Sequence, residues 1–158
     1  MQAVWVALIA VLGTLAGSIA TGVMQRFHAE RALARDREHH RQQRQLDVVC
    51  SFVESIAELR RRQIWRWSTR RDRGRDSDDY RESKDACFQA RAASRGCLLR
   101  LQLAGLPEGL VQQGKAVFEV SITIEEAADV DELNRIAEVA REALESFVGE
   151  AGRFCSRF

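Results

Sequence analysis

The sequence predicts an all-α protein, with a single N-terminal transmembrane helix followed by a cytoplasmic antiparallel helical bundle. Only one of the 158 residues is proline, the first 24 residues have no charged side chain, and later apolar residues recur at spacings of three and four. Proline is the strongest helix breaker, and the three–four spacing is the period of an α-helix. We therefore predict an anchor at residues 1–25, a charged helical stalk at 26–45 and a helical bundle at 46–158.

The predicted anchor is the uncharged run of 22 residues from Ala3 to Met24. At about 1.5 Å per residue it spans roughly 33 Å as a helix, which is enough for a hydrocarbon core of about 30 Å. Arginines follow the run and no basic residue precedes it, so the positive-inside rule places the N-terminus outside the inner membrane and the bundle in the cytoplasm. A cleaved signal peptide is the alternative, since Ser18-Ile19-Ala20 offers small residues, but a basic n-region is missing. In the cytoplasm the four cysteines would be free thiols.

One face of the anchor predicts self-association in the membrane. Gly13, Gly17 and Thr21 recur every four residues. Small residues at this spacing allow two membrane helices to approach closely.

The first part of the bundle predicts two helices joined by a loop. Apolar periodicity begins at Leu46, and the polar stretch at 68–80 interrupts it. A second helix is predicted from about Asp79 to Leu103, with Gly105 as its C-terminal stop.

The second half of the bundle contains one ambiguous segment and one clear helix. Residues 107–127 combine a helical face with β-branched alternation, and we expect a helix with Pro107 in its first turn because a lone strand would have no partner. In the last helix, Asp129 or Asp131 can cap the start. Its apolar face follows a four–three alternation and should pack on another helix: Leu133, Ala137, Ala140, Leu144, Phe147, Ala151 and Phe154.

Catalytic and metal-binding motifs are missing from the sequence. It has no Walker phosphate loop and no nucleophile elbow, and His28, His39 and His40 lack a third ligand at a convincing spacing. We therefore expect no enzymatic activity, metal or cofactor.

The most distinctive local feature is a segment with six arginines and two tryptophans, which we call the Arg–Trp segment: Arg60, Arg61, Arg62, Trp65, Arg66, Trp67, Arg70 and Arg71. Arginine neutralises phosphate and tryptophan stacks on bases or lies at a membrane interface, so contact with nucleic acid or anionic lipid is one interpretation. The other interpretation places the tryptophans in the bundle and pairs the arginines with acidic residues of the last helix. Charge favours the second, because residues 25–100 carry 19 basic and 12 acidic side chains and residues 101–158 carry 5 and 11.

Two stretches carry a resemblance to a known family. The apolar run from Val11 to Ser18, continued to Gln25-Arg26, and the later stretch Glu142 to Val148 resemble small actinobacterial membrane proteins, namely the KilB family of Streptomyces conjugative plasmids. The resemblance implies an accessory that helps plasmid DNA spread within recipient mycelium, after a separate translocase has moved the DNA between cells. It also implies toxicity when expression is unregulated, other plasmid transfer proteins as partners, and no defined catalytic residue. The alternatives are a membrane-tethered nucleic-acid binder that uses the Arg–Trp segment and a holin-like protein that perturbs the membrane.

Overall fold

The computed structural model describes the backbone of residues 2–156 and the side chains of residues 38–156. Four helices follow one another: α1 (Gln2–Arg73), α2 (Asp78–Leu103), α3 (Glu108–Ile122) and α4 (Val130–Cys155), with a 3-10 turn at Ile124–Glu126. The described part of the chain contains no strand, which confirms the all-α prediction. The chain forms two compact units, Met1–Arg41 and Gln42–Phe158, and the second is the helical bundle.

The predicted membrane anchor lies outside the residues whose side chains are described. Among those residues, no helix is long and apolar enough to cross a membrane. The small-residue face of Gly13, Gly17 and Thr21 likewise lies outside the described side chains. The anchor therefore stays a prediction from the sequence.

The predicted loop at 68–80 was too long, because α1 continues to Arg73. Two buried side chains near its end, Trp67 and Thr69, hold this polar stretch against the bundle, and tertiary packing of this kind overrides local composition. The helix ends at Gly74, which has a φ of +80°. Ser77 then caps α2 by accepting a hydrogen bond from the Tyr80 N–H at 3.2 Å.

The ambiguous segment at 107–127 is helical, as predicted. Gly105, with a φ of +68°, ends the turn after α2, and the Pro107 carbonyl accepts hydrogen bonds from Leu110 and Val111. Pro107 is thus the N-cap of α3, one residue before the first turn in which we had placed it. The segment forms a helix rather than a strand because its buried residues, which include Leu110, Gly114 and Val117, follow the three–four spacing of a helical face.

Hydrogen bonds between helices define an antiparallel arrangement. Gln45 donates to the Ala104 carbonyl at 3.1 Å, and Ser94 donates to the Ser55 carbonyl at 2.8 Å, so α2 runs opposite to α1. The N-terminus of α4 is capped by Asp129, whose carboxylate accepts from the Glu132 N–H at 2.8 Å.

The interior contains two apolar clusters with a polar contact between them. The larger cluster includes Phe52 and Phe147, whose rings meet edge to face at 5.2 Å, and the smaller one includes Trp67, Ile124 and Leu133. Gln63 lies on α1 between the two clusters and is fully buried. Its amide donates to the Ile122 carbonyl at 3.4 Å and accepts from the Cys87 thiol at 3.1 Å. This contact joins α1, α2 and α3 in one layer.

The predicted apolar face of α4 is turned into the bundle. Four of its residues are buried and the other three are partly buried: Leu133, Ala140, Phe147 and Ala151, then Ala137, Leu144 and Phe154.

Candidate functional site

The Arg–Trp segment occupies the last turns of α1, at the end of the bundle away from Gln42. From Gln42 to Arg60 the helix rises about 27 Å, and to Arg71 about 44 Å. This end of the bundle also contains the 3-10 turn and the N-terminus of α4, since the segment bonds to Glu125 and Ala127.

Trp67 is a structural anchor of this end. It is only 3% exposed, and its indole N–H donates to the Ala127 carbonyl at 2.7 Å. Arg70 donates to the same carbonyl at 3.1 Å, and the Arg71 guanidinium lies 4.9 Å from the centroid of the Trp67 ring. A base cannot stack on an indole that is enclosed in this way. The interpretation that places Trp67 in the bundle is therefore the one that the structure shows.

Trp65 is half-buried and lies two residues from both Gln63 and Trp67, which belong to the buried face of α1. The Arg62 guanidinium lies 5.4 Å from its ring centroid, which is cation–π distance.

Arg66 forms a partly buried ion pair across the bundle. It bonds to the Glu125 carboxylate, and both side chains are only 19% exposed. Its guanidinium also lies 3.5 Å from the Tyr80 hydroxyl. Burial by itself lowers the pKa of Arg66, but the contacts with Tyr80 and Glu125 outweigh it and raise that pKa. Arg66 therefore fastens α1 to the 3-10 turn.

Arg60 is used in helix packing. Its guanidinium donates to the Ala137 carbonyl of α4 at 3.1 Å, while its buried Nε has no hydrogen-bond partner among the described atoms. Burial lowers the pKa of Arg60, and the nearby Arg141 charge adds to this effect.

The remaining arginines of the segment pair with acidic residues on α1 itself. Arg61 and Arg62 both bond to the Glu58 carboxylate, at 2.6 Å each, and these hydrogen bonds lower the pKa of Glu58. Arg71 pairs with its neighbour Asp72 at 2.7 Å.

No described ion pair joins these arginines to an acidic residue of the last helix, although the charges of Glu138 and Glu145 act on Arg60 and favour its charged form. On α4, Glu138 and Glu145 pair with Arg141, and Glu132 pairs with Arg135. These pairs form three or four residues apart on one helix, where a partner is always within reach.

An open cavity of about 500 Å³ lies at this end of the bundle. Its lining combines one buried aromatic ring, three arginines and the N-cap of α4: Trp67, Arg70, Arg71, Gly74, Arg75, Ala128, Asp129 and Val130. The arginines favour anionic groups, and Asp129 opposes them.

A second, apolar groove of about 330 Å³ lies between α1 and α4. It is lined by Leu46, Val49, Cys50, Val53, Glu54, Val148, Ala151, Gly152 and Cys155. Burial raises the pKa of the Cys155 thiol in this groove, and the nearby Cys50 adds to the effect.

The described residues contain no group of three or more His, Cys, Asp and Glu side chains placed to hold a metal ion. All four cysteines are free in the structure.

The comparison with protein families decides the identity. The model of the KilB plasmid transfer protein matches residues 46–155, which is most of the chain. The chain belongs to the KilB plasmid transfer protein family. The resemblance seen in the sequence is thereby confirmed, and with it a role in plasmid transfer. Neither the curated proteins nor the solved structures provide a match.

The KilB match covers the bundle and with it the whole Arg–Trp segment. The predicted anchor at 1–25 and the stalk at 26–45 precede the matched range. The family assignment thus rests on the same helices whose side chains the structure describes.

Sequence reasoning missed three residues that organise this KilB bundle. Glu125 and Ala127 are the partners of Arg66 and Trp67, and no local pattern marked them. Gln63 did carry a signal, because it lies four residues after Leu59 and four before Trp67, in the middle of the buried face of α1. A polar residue at such a position indicates a buried hydrogen bond.

Proposed function

We propose that this KilB family member is a membrane-anchored accessory of conjugative plasmid transfer. In this proposal it has no catalytic activity and promotes the spread of plasmid DNA within recipient mycelium through protein–protein contacts. The predicted anchor at 1–25 holds the bundle at the cytoplasmic side of the inner membrane.

The observation that carries the protein-contact role is the internal use of the Arg–Trp segment. Arg60, Arg66 and Arg70 bond to groups of other elements of the bundle, and Trp67 is buried. Specific and non-specific DNA binding both draw on arginines that are free to neutralise phosphates. A segment that holds the bundle together has fewer of these, which favours a scaffold over a DNA-binding surface.

The test is deletion of the gene from its plasmid, with transfer from donor to recipient scored separately from spread within the recipient. We expect transfer to survive and spread to fail. Complementation by the full chain should restore spread, whereas a version without residues 2–25 should not. Normal spread after deletion would refute the proposed role, and rescue by the anchorless version would refute the need for an anchor.

A second measurement separates this proposal from DNA binding. The full chain in detergent is mixed with duplex DNA at low and at physiological salt, and retardation is followed on a gel. We expect no retardation at physiological salt. Strong retardation that falls steeply with salt and is lost in Arg71→Ala would favour the membrane-tethered nucleic-acid binder instead.

Toxicity is a further part of the proposal. It would follow from helix association through Gly13 and Gly17 in the membrane. Replacing both by leucine should reduce toxicity without lowering the amount of protein. Unchanged toxicity at equal abundance would contradict the idea, and a lethal peptide of residues 1–30 would favour a holin-like lesion.

A further inference from the structure

The apolar groove between α1 and α4 is open to solvent, although its deepest residues belong to the core. Val49 and Ala151 line it and are buried. Leu46 and Val148 also line it and are 44% and 45% exposed. Large apolar side chains gathered around one depression indicate a binding surface rather than scattered exposure.

The dimensions of the groove fit a helix laid along it. The groove covers residues 46–54 of α1 and 148–155 of α4, which is about two turns, roughly 11 Å, of each helix. A bound strand would need a sheet edge to pair with, and the described part of the chain has no strand. A helix forms its own backbone hydrogen bonds and needs only an apolar surface for its anchors.

Gly152 keeps the α4 side of the groove open. A Cβ atom at this position would meet no atom within 4 Å, so the missing side chain leaves room in the groove. The volume of about 330 Å³ is near the lower end of the range for ligand pockets, about 300–1,000 Å³. The groove therefore accommodates a few apolar side chains.

Two carboxylates give the groove an acidic edge. Glu54 lines the groove, and Asp47 lies seven residues earlier, on the same side of α1. Both are exposed, and neither forms an ion pair with another described side chain. Within the two stretches that form the groove the only basic residue is Arg153, and it pairs with Glu150.

The acidic edge selects among possible occupants. It repels the phosphates of DNA and the headgroups of anionic lipids. The same groove of a second copy would bring its own Asp47 and Glu54 against these carboxylates, and like charges in an interface are unfavourable. An apolar helix with basic residues is attracted instead.

We propose that the groove binds an amphipathic helix of another protein, with apolar anchors at positions i, i+3 or i+4, and i+7 and with lysine or arginine beside them. The anchors lie over Val49 and Ala151. The basic residues meet Asp47 and Glu54, whose separation of seven residues matches that of the first and last anchors. This surface gives the protein-contact role proposed above a partner of defined chemistry, and it rests on that role.

The experiment uses the full chain in a non-ionic detergent. Cys97 and Cys155 are changed to serine, so that Cys50 in the groove is the accessible thiol while Cys87 stays buried. The probe is a helical peptide of about 15 residues, with leucines at the anchor positions, lysines beside them and a thiopyridyl disulfide at one end. Attack by the Cys50 thiolate joins the peptide to Cys50 as a mixed disulfide and releases thiopyridone, whose absorbance is followed.

Two matched controls accompany this measurement. One is a peptide with glutamate at every lysine position, and the other is a chain with Cys50→Ser and Ser146→Cys, which moves the thiol to the exposed side of α4. Each rate is divided by that of the thiopyridyl reagent without a peptide, which corrects for access to the thiol. We expect the lysine peptide to react at Cys50 at least tenfold faster than the glutamate peptide and than at Ser146→Cys. Equal rates in either comparison would overturn the proposal.

Variants test the space and the charge separately. Gly152→Leu fills the groove and should lower the rate of the lysine peptide at Cys50 to the control level. Gly96→Leu, at a glycine of α2 with equally free surroundings, should leave the rate unchanged. Asp47→Lys combined with Glu54→Lys should reverse the preference toward the glutamate peptide. An unchanged rate in Gly152→Leu would rule out the groove, and an unchanged preference after the charge reversal would rule out the basic partner.

Two further outcomes would assign the groove to another occupant and overturn the proposal. Cross-linking of two chains through Cys50 on mild oxidation, without reaction of the lysine peptide, would identify a second copy. Reaction of the peptide only after removal of residues 157–158 would identify the chain's own C-terminus. The assay measures binding by the purified protein, so its failure is distinct from a failure of the deletion test of plasmid spread.

Discussion

The close approach of α3 to its neighbours at Gly114 determines how the bundle responds to a single added methyl group. A Cβ atom on Gly114 would lie 2.7 Å from Cδ2 of Leu101 and 3.6 Å from Cε2 of Phe147. The first distance is well below the optimal carbon–carbon separation of about 3.5–4.0 Å. Gly114→Ala must therefore displace the Leu101 side chain, which is itself fully buried.

Gly96 is the matched control, because it lies inside α2 and a Cβ atom there meets nothing within 4 Å. Replacing a helical glycine by alanine stabilises a helix by about 0.5–1 kcal/mol at either position. At Gly114 overpacking costs about 1–3 kcal/mol and outweighs that gain. We expect Gly114→Ala to lose about 1–2 kcal/mol and Gly96→Ala to gain about 0.5–1 kcal/mol.

Thermal unfolding of the full chain in detergent, followed by circular dichroism and tryptophan fluorescence, measures the difference. For a cooperative unit the size of Gln42–Phe158, 1 kcal/mol corresponds to about 4 °C in Tm. Gly114→Ala should then lower Tm by about 4–8 °C, and Gly96→Ala should raise it by about 2–4 °C.

A double variant identifies the cause of the loss at Gly114. Leu101→Val shortens the side chain that the new methyl group meets. Gly114→Ala combined with Leu101→Val should therefore be less destabilised than the sum of the two single changes, by about 1 kcal/mol or more. An increase in Tm for Gly114→Ala, equal to that for Gly96→Ala, would refute the packing of α3 described here.

Three further predictions test the interior of the bundle. Gln63→Leu should cost about 1–3 kcal/mol in urea unfolding, because it leaves the buried Cys87 thiol and the Ile122 carbonyl without their hydrogen-bond partner; an unchanged midpoint would contradict the polar contact around Gln63. Trp67→Phe should lower the free energy of unfolding by about 1 kcal/mol in the same assay, since it removes the hydrogen bond to the Ala127 carbonyl. An unchanged free energy would show that this bond contributes nothing. Burial raises the pKa of the Cys87 thiol, so its contribution to stability is complete below the unfolded pKa of about 8.5 and declines as pH rises above it. A maleimide at pH 7 should label the exposed Cys50 rapidly and Cys87 only after unfolding, and equal rates in the native chain would exclude the burial of Cys87.

Local signals in the sequence were sufficient for much of the fold. The four–three alternation of α4 and the cap at Asp129 depend on residues a few positions apart, and the structure has both. The stop at Gly105 is equally local, because a positive φ favours glycine. The segment at 107–127 was ambiguous because its β-branched residues fit both periods, and only packing on α2 and α4 decided it.

The sequence located the candidate site, but it did not show which groups its side chains contact. Composition marked the Arg–Trp segment, yet an arginine has the same sequence signature whether it meets a phosphate, a carboxylate or a backbone carbonyl. Arg60 bonds to Ala137, 77 residues away, and such a partner cannot be read from charge patterns. The extension of α1 to Arg73 has the same origin, because the buried side chains that hold it meet distant parts of the chain.

The sequence by itself determined the all-α class, the start and the apolar face of α4, and the family, because each of these follows from short-range periodicity or from recognisable stretches of residues. The tertiary structure alone decided which charges and rings are used inside the bundle. Trp67 and the Ala127 carbonyl are 60 residues apart along the chain and 2.7 Å apart in space. Contacts of this kind form only when four amphipathic helices bury their faces together, and they determine which side chains remain on the surface for a partner.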